Sequence, residues 1–174
     1  SDMQGTITLG TLAGHEGVIT GTTGILSSAT WTVYAGTISA IMGGDGGAVT
    51  KSTFGTVTLT RPNQFTGAVT VSVGILKIQD SMALGLIDGA TSVTSGATLQ
   101  IDGDSLSIPE YITLNGLGLL NQGALRNSTG SNSITALLTL GAASKIDSDS
   151  GTTLTIATGG ITGATLGLTV EGDG

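Results

Sequence analysis

The stretch that most constrains this chain is residues 55–85, GTVTLTRPNQFTGAVTVSVGILKIQDSMALG, which carries three β-type runs too short to bury anything alone. Runs 56–60 and 68–73 flank a turn-rich centre, and run 75–78 follows after the single residue Gly74. No amphipathic helix pattern interrupts them. Such pieces close a core only when each unit packs on the next, as the coils of a β-solenoid do.

The same alternation of apolar or β-branched residues with small or polar ones returns at 6–9, 30–34, 37–41, 97–102, 111–115, 144–147, 152–157 and 166–170. Period-two alternation over four to six residues between Gly, Asn, Asp or Ser marks strands. The best helical stretch, 80–86, is about one turn long. Asn115-Gly116, Asp88-Gly89 and Asp102-Gly103 would permit hairpins. Yet many runs are separated by one glycine, as at Val73-Gly74-Ile75 and Ser95-Gly96-Ala97, which is too little for a hairpin and enough for a corner. The expectation is an all-β, right-handed parallel β-helix, one rod-like domain over residues 1–174. With coils of about 20–25 residues it makes about seven or eight coils and a rod about 35–40 Å long. The repeat is degenerate: GTITL (5–9), GTVTL (55–59), GATLQI (96–101) and GTTLTI (151–156) recur at irregular spacing.

Composition supports a narrow interior. Gly is 30 of 174 residues with threonine equally frequent, and aromatics are 3%, so Ile, Leu, Val and Ala must build the core. The mean hydropathy of +0.38 is high, but no apolar run approaches the ~20 residues of a spanning helix. Long alternating strands with aromatic girdles, as in a membrane barrel, are also missing. A net charge of −7, with only Lys51, Arg61, Lys77, Arg126 and Lys145 as cations, disfavours nucleic acid and anionic membranes as partners. Without cysteine there is no disulfide framework and no thiolate zinc site. No signal peptide is evident, and Ser1-Asp2-Met3 reads as an added leader on a piece of a longer secreted chain.

Chemistry-bearing motifs are sparse. Asp147-Ser148-Asp149-Ser150-Gly151 has calcium-loop spacing, but an EF-hand needs Glu where Thr158 stands, so a turn is expected. Asp102-Gly103-Asp104 is a similar case. The run Gly43–Gly47 lacks the aspartate of a glycine-rich calcium repeat, Ala48 standing in its place, and reads as a flexible corner. No phosphate-binding loop occurs. His15 has no triad partners and reads as a loop residue, and the acids are scattered among turns, so no catalytic residues, metal or cofactor are expected. Thr6/Thr8, Thr30/Thr32 and Thr56/Thr58/Thr60 raise the idea of an ice-binding face, but no Thr-x-Thr pair follows in the next coil and strand propensity accounts for most of them. Asn115, Asn121, Asn127 and Asn132, five to six residues apart, read as turn formers tolerating a left-handed backbone rather than a ladder.

Gly55, Val57, Leu59, Asn63, Phe65, Gly67, Val71, Gly74, Leu76, Leu84 and Gly85 together resemble the autotransporter-associated β-strand repeat, also called the passenger-associated transport repeat. Segments 36–46, 95–99, 114–118, 123–127 and 161–163 extend the likeness over nearly the whole chain, least before residue 30. Arg61-Pro62 stands where that repeat has small residues, and Phe65 where Tyr is common. The resemblance implies a right-handed β-helix in a bacterial surface or secreted protein, associated with the outer membrane, with a structural or adhesive role as stalk, filament segment or contact surface. It implies neighbouring repeats and end-to-end self-association as partners. A glycan- or protein-binding module is the alternative. It calls for an exposed patch, with Trp31 and Tyr34 as candidates unless they lie inside, and burial of both would count against it. An ice-binding face and a polysaccharide-degrading β-helix enzyme are remoter alternatives.

Overall fold

The structure, a computed structural model, describes residues 6–9, 17–21 and 23–172. It is an all-β solenoid of about seven turns, 56% strand and 2% helix, as the sequence leads one to expect. Among the described residues every strand pairing is parallel, so the Asn-Gly and Asp-Gly dipeptides make no hairpins. Each turn visits three faces in order. The first face stacks Thr6–Leu9, Thr30–Val33, the first part of Ala48–Leu59, the first part of Val69–Ile78, Thr91–Val93, Ile112–Gly116, the start of Leu138–Ser148 and Ile161–Thr162. The second stacks Gly17–Ile19, Gly36–Ile38, the ends of the two long strands, Ala97–Asp102, Leu125–Thr129, the end of Leu138–Ser148 and Leu168–Gly172. The third holds Ile25–Ser27 on Ile41–Gly43 and, further along, Ser107–Ile108, Ser131–Ile134 and Thr153–Ile156.

Alternation within each strand sends every second side chain inward, and parallel register places like on like. The first face buries Trp31, Val49 and Val69 in one column and Val33, Val71 and Val93 in the next. The second buries Val57, Leu76, Leu99 and Leu125, beside Ile38, Leu59, Ile78 and Ile101. In the coils where the third face carries no strand, Asn63 does its work. Its side chain accepts from the Met42 N–H (2.9 Å) in the coil on one side and donates to the Ala83 carbonyl (2.6 Å) in the coil on the other. Two residues later Phe65 fills the core between them.

The single-glycine corners are bends rather than breaks. Val69–Ile78 runs as one strand through Gly74, which takes φ +77° while the inward alternation slips by one residue at Ser72–Val73. A Cβ on Gly74 would strike the Thr53 carbonyl oxygen. Gly85, φ +92°, is similarly closed off, here by the ring and carbonyl of Phe65.

Coil lengths vary more widely than expected. Stacked partners lie 18 residues apart at Thr32 and Thr50, and 26 apart at Leu99 and Leu125. The long coil spends its extra residues in an outward corner, Leu117–Gln122, with a short 3₁₀ turn at Leu119–Asn121 and left-handed Leu120 and Asn121. That turn is absent from the sequence reading. Conversely, residues 80–86 form successive turns and no helix, because the Asp80 carboxylate accepts the Met82 N–H (2.8 Å) and fixes a turn.

Gly74→Ala is expected to lower stability by roughly 2–3 kcal/mol through left-handed strain and the carbonyl clash. Gly24→Ala, whose added Cβ meets nothing within 4 Å, is the control. Urea midpoints that fall equally for the two variants would overturn the corner assignment.

Candidate functional site

The second face carries a run of paired charges. Its outward column reads Thr37, Thr58, Lys77, Gln100, Arg126, Asp147 and Glu171 in strict register. Each cation reaches an acid one coil further on. Lys77 Nζ lies 3.3 Å from Asp102, which also accepts from Gln79 (2.9 Å). Burial by itself would raise the Asp102 pKa, but the bonds from Gln79 and Lys77 outweigh it and hold the carboxyl below its ordinary value. Arg126 forks onto Asp149 with two bonds of 2.8 Å and gives a third to Gln122. Its pKa rises, the Asp149 bonds leading. Lys145 binds Glu171 at 2.6 Å, sits 3.6 Å from Asp147 and donates to the Asn121 carbonyl; Glu171 foremost raises its pKa.

This pairing answers the calcium-loop spacing at Asp147–Gly151. Asp149 is turned to Arg126 and Asp147 faces Lys145, while Thr152 N–H closes a turn on the Asp149 carbonyl (3.0 Å). Asp104 accepts the Ser131 N–H at 2.8 Å. Among the described residues no three His, Asp or Glu side chains gather where a metal could sit, and no helix is long and apolar enough to cross a membrane. The run at Gly43–Gly47 is a defined turn, Gly47 N–H on the Gly44 carbonyl (3.1 Å), pinned by Thr66 Oγ1, which accepts from Gly46 N–H (2.6 Å) and reaches Asp45. His15 lies outside the described residues.

The repeat-like positions all shape the coil. Val57, Leu59, Phe65, Val71, Leu76 and Leu84 are core, Asn63 is the coil-to-coil clip, and Gly74 and Gly85 are tight corners. A Cβ on Gly67 would meet the backbone of Gly46 and Gly47, and one on Gly55 would press on Ala35.

Two sequence expectations need correction. Trp31 is 1% exposed and inward-facing, with Tyr34 half-buried at the next corner, so no exposed patch forms around the pair. Alternation from Trp31 to Val33 and register against Val49 put the indole in the core, where its surface is worth most. Asn127 and Asn132 are not turn formers with a left-handed backbone but sit in strands. Asn132 donates to Asn127 Oδ1 (2.7 Å) and the Gly103 carbonyl (2.8 Å) and accepts the Leu106 N–H (2.8 Å); Asn127 donates to the Thr153 carbonyl (3.1 Å). Three coils are thereby tied from inside, and these inward amides hid strands Leu125–Thr129 and Ser131–Ile134 from a pattern search for apolar alternation. Asn121 does adopt the left-handed backbone, and Asn115 caps the Val93 carbonyl (2.9 Å).

Two further buried ionisable residues carried no sequence signal, because only register turns them inward. Lys51, stacked between Val33 and Val71, spends its ammonium on the Thr53 and Val73 carbonyls at the bend, and burial pushes its pKa down to about 8. Glu110 accepts from Thr91 Oγ1 (3.1 Å), and burial pushes its pKa up to about 7.

The first face differs from the second in having an uncharged outward row. Thr32, Thr50, Thr70, Ser92, Thr113, Thr139 and Thr162 stack directly on one another, and Thr8 stands in backbone register with Thr32. The neighbouring column that starts with Thr6 and Thr30 turns to Ala48 in the next coil, so the paired array stops while the single row continues.

No family model matches the chain, and no match is found among curated proteins or solved structures.

Glu110 makes a pH prediction. Between its ordinary 4.5 and about 7 the folded protein keeps a proton that the unfolded chain has lost. Stability therefore falls as pH rises through that window and levels off above it. Glu110→Gln is expected to flatten this part of the curve and to melt higher than the parent at pH 8. Parallel melting curves for the two proteins from pH 4.5 to 8 would refute it.

Proposed function

We propose that the chain is a structural and adhesive repeat module of a bacterial secreted or cell-surface protein, working as a stalk, filament segment or contact surface. The observation that carries this reading is the state of the last coil. Ile161 continues the interior column above Leu138, and Val170 the one above Ile146. Both are exposed, Val170 to 68%, and Leu166 and Leu168 are exposed beside them. Among the described residues, strand Leu168–Gly172 pairs only with Leu138–Ser148. An apolar, unpaired, flat β-edge is a template for another strand. The partner that fits is a further coil of the same kind, from a neighbouring repeat or a second copy. Such contacts run head to tail and do not close, so they lengthen a rod.

The likeness to passenger repeats supports a place at the outer-membrane surface, since the positions that carry it are the ones that shape the coil. Charges sorted into coil-to-coil pairs also suit a load-bearing rod, because each pair crosses a coil boundary.

Sedimentation velocity tests the reading. The expected result is a weight-average sedimentation coefficient that climbs with protein concentration. Val170→Lys, which places a charge on the exposed edge at a residue 68% open to solvent, should hold the protein monomeric. A parent protein that stays monomeric at high concentration, or a variant that associates equally well, would overturn end-to-end stacking.

A further inference from the structure

The uncharged row on the first face is a continuous array of seven in-register hydroxyls, Thr32, Thr50, Thr70, Ser92, Thr113, Thr139 and Thr162. Successive coils are ~4.8 Å apart, so the row extends for roughly 30 Å. Several hydroxyls near the ends of strands elsewhere in the solenoid are consumed internally. Ser39 bonds the Ile19 carbonyl, Thr60 that of Ile38, Thr94 those of Val71 and Ser72, Ser128 that of Ile101 and Thr135 that of Ile108, each reaching into a neighbouring coil. No hydroxyl of the row has a hydrogen-bond partner among the described residues. The sheet backbone is already satisfied, and the strand alternation aims every one of these side chains at solvent. A β-branched residue held in a strand has little χ1 freedom, so the six threonines of the row present donors, acceptors and methyls in near-fixed positions, with Ser92 adding a hydroxyl alone.

What such a row can recognise follows from its regularity. A small soluble molecule would touch one or two rungs and leave the rest unused. A ligand that engages all seven must itself repeat at the coil spacing, be uncharged, and offer both donors and acceptors. The adjacent outward positions Ala48, Ala68 and Ala90 are small and keep that side of the row flat over three coils, before Tyr111 and Leu137 take the same column. The charged pairs lie on the second face. The row itself carries no aromatic ring that could lie flat on a sugar; Tyr111 stands at its margin, and exposed Phe54 sits at a corner. The remaining lattice of matching chemistry is crystalline water, whose oxygens repeat at nearly this spacing along the basal axis of hexagonal ice. We infer that the first face is an ice-binding surface, with the threonine row as its contact line. This stands apart from end-to-end stacking, since a monomer displays the same row, although stacking copies would lengthen it.

Incorporation of the full chain into a slowly growing ice hemisphere, together with the shape of single ice crystals in its presence, tests the inference. The parent is expected to enter the ice and to facet crystals. Thr70→Tyr and Thr113→Tyr, which raise a ring out of the flat row, should lose most of the incorporation. Thr58→Tyr, outward on the second face, should keep it. Circular dichroism establishes that each variant is folded. If Thr70→Tyr unfolds, the Thr70→Val/Thr113→Val double variant removes the hydroxyls without adding volume and should also lose most of the incorporation. Exclusion of the parent from ice overturns the inference, as does equal loss in Thr58→Tyr. Thr70-dependent retention on microcrystalline cellulose or chitin without entry into ice would also overturn it, reassigning the row to a polysaccharide lattice.

Discussion

Each coil of this solenoid depends on hydrogen bonds it cannot make to itself. In a parallel stack the N–H and C=O groups of a strand point along the rod axis, so only the coils above and below can satisfy them. Everything else adapts to that constraint. Where the third face has no strand, Asn63 carries the connection with its side chain, and Asn127 and Asn132 do so inside the later coils. Where the chain bends within a strand, Lys51 supplies an ammonium to the Thr53 and Val73 carbonyls. Buried polar groups are costly unless paired, and here the pairing runs mostly between coils.

The same constraint explains why coils of 18 and 26 residues coexist. Register is needed only along the faces, so surplus residues leave at corners such as Leu117–Gln122 without disturbing the columns. Stacking in register also turns single residues into one-dimensional arrays. The second face becomes a sequence of charges neutralised one coil apart, the first a row of neutral hydroxyls, and the interior a set of aliphatic columns. A surface built this way has chemistry at the scale of the rod rather than of a pocket.

Much of the architecture is legible residue by residue. Strands Thr6–Leu9 and Ala97–Asp102 were readable to their end residues because their alternation is clean and their flanks are glycine or aspartate. Leu125–Thr129, Ser131–Ile134 and Ser107–Ile108 were not, since inward amides and very short lengths break the apolar pattern. The bend at Gly74 was foreseeable from one glycine between two β runs. Of the candidate surfaces, the charged face was unreadable, as Lys77 and Asp102 or Arg126 and Asp149 are more than twenty residues apart and meet only through register. The threonine row was half visible: Thr6/Thr8 and Thr30/Thr32 announced it, and irregular coil lengths concealed its continuation.

Local patterning alone determined that this chain is all-β, that its units are too small to stand singly, and that Gly, Thr and aliphatic residues must make a narrow stacked core. Those properties depend on period-two alternation and on backbone freedom at glycine, both of which act over a few residues. Only the tertiary structure decided which coil positions coincide: that Trp31 lies inside, that Lys51 and Glu110 are buried, that the charges cancel coil by coil, and that seven hydroxyls fall into one line. The physical reason is that register in a parallel stack is set by the sum of loop lengths around each turn, and no local pattern records that sum.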